Sequence, residues 1–217
     1  GAPTDCDMTV CCRDKYEGEG SAHPYGDYNC NTPQRTMDRF LEQVAELQPD
    51  FIIYSGDTPP HSIWEETFES QLECTEILVD SLTRTLSQYD IYNNIGNHEM
   101  YPTNLYYVPL KETVDMTEQF TELWAPLSKF EEEQLQTMKH AGYYSMLVRP
   151  GLRIISFNTL YWYSFNFYNT LNEVEEDGET MYAYLRQELQ KARDNNEKVI
   201  VVGHHPPGNG DIIVSHT

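Results

Sequence analysis

The chain has 217 residues, enough for one good α/β core, and carries 35 acidic against 14 basic residues for a formal net charge of -21 at pH 7. A surface of that sign repels nucleic acid polymers and anionic bilayers, which leaves at most a peripheral membrane contact, and its ordinary consequence is solubility. No apolar run of about eighteen or more residues occurs and Gly1–Asp5 has neither a basic nor an apolar leader, so no membrane span is expected and any signal peptide is expected to be gone already.

Four of the five cysteines, Cys6, Cys11, Cys12 and Cys30, crowd into an N-terminal stretch rich in Gly, Pro, Asp and Tyr. Their spacing does not match the common zinc-ligand patterns, so disulfides and an oxidising compartment are expected; the location expected for the chain is secreted, with lysosomal as the alternative that the family resemblance below implies. Cys74, inside a helical pattern, reads as a buried thiol. Residues 1–31 are read as a disulfide-rich loop attached to a single domain over 32–217.

Thr32 and Pro33 predict a helix start, and Met37, Phe40, Leu41, Val44 and Leu47 then share one face before Pro49. Residues 51–55 (FIIYS) predict a short strand buried on both faces. A helical pattern through Leu72, Leu78, Val79, Leu82 and Leu86 leads into a second strand at 91–95 (IYNNI). A third helix carries Met116, Phe120, Leu123 and Trp124 and is expected to stop near Pro126. Two strands, 143–148 and 152–157, follow around a Pro150–Gly151 turn, and a last helix with Met181, Tyr182, Leu185, Leu189 and Ala192 precedes a strand at 198–202. The aromatic-rich segment 160–170 reads as core, with the wall of a lipid- or base-binding cleft as the alternative. Alternating strands and helices predict an α/β fold with a largely parallel sheet flanked by helices.

The chemistry gathers at strand ends. Gly56-Asp57, Gly96-Asn97-His98-Glu99 and Gly203-His204-His205 each directly follow an apolar strand. Ligands bind beyond the carboxyl ends of parallel strands, so the three loops are expected to converge on one cleft. Taken singly, an Asp after Gly is usually a turn residue and an Asn-His pair usually a surface loop; in this order, each on its own strand end, they point to a metal site.

These blocks resemble the calcineurin-like metallophosphoesterases, whose signature runs Asp-x-His, Gly-Asp, Gly-Asn-His-Asp/Glu, Gly-His and Gly-His-x-His. The flanking sequences YSGDTPPHSIWEET, NNIGNHEMYPTN, LRIISFNT and VVGHHPPG narrow the likeness to acid sphingomyelinase and its acid sphingomyelinase-like relatives, over about Cys6 to Gly208. The resemblance implies that family's fold and a phosphodiesterase using two Zn2+ ions and metal-activated water. In it Asp57 is similar to the carboxylate bridging both ions, Asn97 to an amide-oxygen ligand and His204 to an imidazole ligand. His98 and His61 resemble the catalytic histidines that contact the phosphate and assist the leaving group. The resemblance also implies the bridges Cys6–Cys11 and Cys12–Cys30.

His205 stands where sphingomyelinases usually have an aliphatic residue and is expected near the site without an assigned role. His23 and His140 read as surface or capping residues. No Asp-x-His block precedes Cys6 and no Gly-His-x-His block is completed, so the family's domain is expected to be truncated or incompletely covered at both ends. His216 follows Gly208 too closely for a crossover between parallel strands and is not assigned. The expected substrate is a phosphodiester, either a lipid such as sphingomyelin or a soluble nucleotide. The opposing reading is a catalytically silent binding or structural module with an incomplete metal site.

Overall fold

The computed structural model describes residues 2–6, 10, 12–13, 17–171, 176–207 and 210, without the side chains of 171–179. Their elements run α1 (Gln34–Leu47), β1 (Ile52–Tyr54), α2 (Phe68–Leu86), β2 (Ile91–Asn93), α3 (Lys111–Ser128), α4 (Glu132–Ala141), β3 (Tyr144–Arg149), β4 (Leu152–Ser156), α5 (Phe167–Leu171), α6 (Glu176–Asp194) and β5 (Lys198–Val202). None of the described helices is long and apolar enough to cross a membrane.

The described strands form two sheets. Parallel β1 and β2 pair Ile52 with Ile91 and Tyr54 with Asn93. The second sheet has the order β3-β4-β5, antiparallel between β3 and β4 because a tight turn at Pro150–Gly151 leaves no room for a crossover, and parallel between β4 and β5. Buried side chains join the sheets: Asn94 Nδ2 donates to Ser156 Oγ at 2.8 Å, and the Tyr144 hydroxyl donates to the Asn93 carbonyl at 2.8 Å. That seam sets the carboxyl end of β2 beside that of β4, and β4 carries β5 in register through Ser156 and Val202. All three motif-bearing loops therefore leave the sheets at the same end.

α1 packs on α2, α2 on α3, α3 on α4 and β2, and α6 on β4 and β5. The core between them is built from Leu86, Ile91, Met116, Phe120, Trp124, Met138, Tyr144 and Ile154, each at most 1 % exposed. α2 starts on a reciprocal cap, with Ser70 N–H donating to Thr67 Oγ1 at 3.1 Å and Thr67 N–H to Ser70 Oγ at 2.9 Å.

Several sequence expectations need correction. α1 begins at Gln34 with extended Pro33 at its cap position, and Phe40 and Leu47 are exposed while Leu41 is the residue it buries. β1 is not covered on both faces, since Ile53 is 39 % exposed. α3 continues past Pro126 to Ser128. A proline inside a helix costs about 3 kcal/mol or more through a lost N–H and a clash one turn back. Here Pro126 is exposed near the helix end, and burial of Leu127 and a Ser128 Oγ bond to Asn93 Oδ1 at 3.1 Å hold the last turn down. α4 was not anticipated: its caps are legible, with Gln134 Oε1 accepting from Glu131 N–H and left-handed Gly142 closing the end, but its apolar face is only Leu135, Met138 and Ala141. In α6, Tyr182 and Leu189 face outward and Glu188 faces inward, paired with Arg153 at 3.2 Å. The aromatic segment is divided, with Leu160, Tyr161 and Trp162 buried and Phe165 and Phe167 exposed.

In the N-terminal region the described residues form only isolated bridges, Asp5 with Glu19 and His23 with Gly26, before α1. Cys12 and Cys30 are disulfide-bonded with Cα atoms 5.5 Å apart. Cys11, the expected partner of Cys6, lies outside the described residues, as does His216. Cys74 is a free, half-buried thiol whose pKa is raised by burial and by Glu73.

Candidate metal centre

Asp57 follows β1 by three residues and Asn97 follows β2 by four, and the two loops touch through their glycines. Gly56 has φ +98°, and a Cβ on it would lie 2.7 Å from the Gly96 Cα; a Cβ on Gly96 would lie 2.6 Å from the Asp57 nitrogen. Only glycine permits that approach of two backbones. Asp57 itself is left-handed at φ 72°, a region that Asp tolerates better than most residues.

Glu99 locks the two loops together. One carboxylate oxygen accepts from the N–H groups of Asp57 and Gly96, both at 2.8 Å; the other accepts from Thr58 N–H at 2.7 Å and the Tyr54 hydroxyl at 3.1 Å. The side chain is fully buried, where hydrogen bonds to a charged group are strong and an orphaned donor is costly. Burial, and then the Glu99 charge, push the Tyr54 hydroxyl well above the ordinary tyrosine range, so it stays a donor. In the sequence Glu99 stands only as the last residue of the Gly96-Asn97-His98-Glu99 block, with nothing to mark this role.

His204, directly after Gly203 at the end of β5, completes the group. Its Nε2 lies 3.1 Å from Asp57 Oδ2 and 3.1 Å from Asn97 Oδ1. Its Nδ1 lies 2.7 Å from the Ser55 carbonyl, which can only accept, so Nδ1 carries a proton and Nε2 is the nitrogen facing the two oxygens. Burial alone would raise the Asp57 carboxyl and lower the His204 ring; their mutual hydrogen bond and opposite charges outweigh it, holding Asp57 below and His204 above its ordinary value.

Three lone-pair-bearing atoms thus converge, a carboxylate oxygen, an amide oxygen and an imidazole nitrogen, and their mutual repulsion is relieved by a proton on Nε2 or by a cation in its place. This donor set fits a divalent metal, whose binding would displace that proton. No group of three or more His, Cys, Asp or Glu is placed to hold a metal among the described residues; the third donor here is the amide of Asn97.

His98 lies on the same wall. Its backbone N–H donates to Asp57 Oδ1 at 3.0 Å and its carbonyl accepts from Gln71 Nε2 at 2.7 Å. The ring is buried, with Nδ1 unpartnered among the described residues, and its centroid is 4.7 Å from that of exposed His61. The structure therefore brings together all five residues singled out from the sequence, with Asp57, Asn97 and His204 in one cluster and His61 and His98 as a ring pair beside it. His205 packs edge-on against His204 at 4.6 Å and stacks on Tyr163 at 3.8 Å. His140 lies in the last turn of α4, and His23 in the N-terminal region, bridged to Gly26.

A family model for the calcineurin-like phosphoesterases matches residues 23–215. The chain is 35 % identical over 208 residues to sphingomyelin phosphodiesterase A of Dictyostelium discoideum, covering 95 % of this chain and 34 % of that protein. It is 30 % identical over 219 residues to sphingomyelin phosphodiesterase of Bos taurus, covering 96 % and 34 %, and 29 % identical over 210 residues to a cyclic GMP-AMP phosphodiesterase of Rattus norvegicus, covering 94 % and 45 %. It spans about a third of the length of the sphingomyelin phosphodiesterases it matches. With the family match over most of its length and the motif loops converging at one end of its sheets, the chain belongs to the calcineurin-like phosphoesterase family.

Proposed function

We propose that the protein carrying this chain is a secreted or lysosomal, zinc-dependent phosphodiesterase with sphingomyelin as its first candidate substrate. The observation that carries this reading is the convergence of Asp57 Oδ2, Asn97 Oδ1 and His204 Nε2 within 3.1 Å contacts beside a buried histidine. Membership of a phosphoesterase family supports a divalent metal there, and imidazole with oxygen donors suits zinc. When bound, the metal supplies charge neutralisation for the phosphoryl oxygens and lowers the pKa of water.

The chain's own residues divide the remaining work. Asp57, Asn97 and His204 would hold the metal, Glu99 holds the loops of Asp57 and Asn97, and His98 and His61 would face the phosphate and give a proton to the departing oxygen. The Cys12–Cys30 bridge supports an oxidising location.

The sphingomyelin phosphodiesterases among the relatives favour sphingomyelin, while the cyclic GMP-AMP phosphodiesterase supports a soluble nucleotide as the second reading. The test is elemental analysis of the native protein with hydrolysis assays on sphingomyelin in mixed micelles and on a cyclic dinucleotide. Bound zinc and cleavage of either substrate support the enzyme, and the preferred substrate decides between the readings. A protein that binds no divalent metal and cleaves neither is the silent module.

A further inference from the structure

An asparagine amide offers an oxygen on one side and an NH2 of nearly the same shape on the other, so its neighbours decide which faces a given point. At a cation site the choice is decisive, because the oxygen binds a cation and the NH2 repels one. Asn97 is 5 % exposed and meets both kinds of neighbour: Oδ1 lies 3.1 Å from His204 Nε2, and Nδ2 donates to Asn104 Oδ1 at 2.7 Å.

Asn104 is itself fixed by its backbone. Its N–H donates to the Asn97 carbonyl at 3.1 Å, and its own carbonyl accepts from Phe167 N–H at 3.1 Å. It sits at φ 69°, where Asn is among the few comfortable side chains. Residues 97 and 104 are therefore closed into a ring by one backbone and one side-chain hydrogen bond.

We propose that Asn104 is a positioning residue that sets the polarity of Asn97: by accepting from Nδ2 it turns the amide oxygen toward Asp57 and His204 and makes the cluster a cation site. The proposal rests on the reading of Asp57, Asn97 and His204 as metal-holding residues. What it requires of residue 104 is an acceptor, not an amide.

Two substitutions separate acceptor from shape without straining the left-handed backbone. Asn104→Gly removes the acceptor at a position where glycine is at ease, and Asn104→Asp keeps an acceptor and nothing that can donate at neutral pH. Zinc affinity of the full-length protein is measured by competition with a chromophoric chelator, with thermal unfolding followed in parallel. Asn104→Gly is expected to weaken zinc binding about 10- to 100-fold, the usual consequence of losing an outer partner of a metal ligand, and Asn104→Asp to stay near the wild-type affinity or above it.

Wild-type affinity in Asn104→Gly, or a loss in Asn104→Asp as large as in the glycine variant, overturns the proposal. His204→Ala is the control: zinc affinity unchanged there sinks the metal reading and the proposal with it, whereas loss in His204→Ala with none in Asn104→Gly sinks the proposal alone. If the glycine variant does not fold, Asn104→Asp decides, with retained affinity in support and a loss matching His204→Ala against.

Discussion

The two halves of the cleft are held in place by different parts of the chain. Asp57, Asn97 and His204 stand beyond the ends of β1, β2 and β5; Glu99 fastens the first two loops by accepting from the N–H groups of Asp57, Thr58 and Gly96, and His204 is held by the Ser55 carbonyl. His61 is exposed, and the tie on its backbone is to the N-terminal loop, where its N–H donates to Asn31 Oδ1 at 3.3 Å. Arg13 reaches the same segment, donating to Ser62 Oγ and lying 3.9 Å from a Glu65 oxygen. The lesson is one of separable support: the half proposed to face a metal is set by the folding of the sheets, whereas the half proposed to serve the leaving group also depends on a segment stapled by a disulfide.

The largest effect expected from breaking this division comes from the contrast of His204→Ala with His98→Ala. His204→Ala deletes a donor of the cluster and should remove metal and activity together. His98→Ala should lower turnover about 10²–10⁴-fold, the usual worth of general acid-base catalysis, with zinc occupancy largely intact. A substrate with a nitrophenolate leaving group, which needs little protonation, should partly rescue the His98 variant. Equal damage with good and poor leaving groups at full occupancy would assign His98 to phosphate binding and move the acid role to His61.

Glu99→Gln should act next most strongly, and on stability as well as on metal. The glutamine keeps one oxygen and turns an NH2 toward N–H donors that the carboxylate now satisfies. Turned one way it orphans the N–H groups of Asp57 and Gly96; turned the other it orphans Thr58 N–H, while the Tyr54 hydroxyl can accept from the NH2 and donate to Thr58 Oγ1, so the cheaper orientation leaves one buried donor unpaired at about 1–3 kcal/mol. Urea unfolding should show a loss of about 1–3 kcal/mol, with weaker zinc binding. A variant as stable as wild type would show that the loops hold without this clamp.

The architecture of the metal-facing half was legible because its signal is positional. A glycine followed by a polar ligand type at three strand ends needs only the rule that parallel strands present such residues at one end. Glu99 was not legible in the same way, since Tyr54 and Thr58 are more than forty positions away and nothing in a single sequence pairs them with it. His61 entered only through the family resemblance, because a lone histidine in a Pro-rich loop has no pattern of its own. Elsewhere periodicity told which residues are apolar but not which faces are covered, hence the exposed Ile53 on β1 and the outward Leu189 on α6. Glu188 reads as the polar side of a helix, yet it is buried because Arg153 on β4 reaches it, a pairing that only the tertiary fold creates.

The smallest expected effect tests the leaving-group half by itself. Asn31 directly follows Cys30 and Arg13 directly follows Cys12, so the bridge holds both contacts to the 61–65 segment in register. Asn31→Ala removes one exposed hydrogen bond worth about 0.5–1.5 kcal/mol, which corresponds to about a two- to tenfold change if all of it is felt in the transition state. Turnover on a substrate with a poor leaving group should fall by that factor. Zinc affinity should not change, because no bond of the Asp57–Asn97–His204 cluster involves Asn31. Replacing Cys12 and Cys30 together by serine releases both contacts and should give a larger fall in turnover with the same metal affinity, partly rescued by the nitrophenolate substrate. A parallel fall in zinc affinity would show that the two halves are one mechanical unit, and unaltered turnover in both variants would show that His61 needs no support from the N-terminal loop.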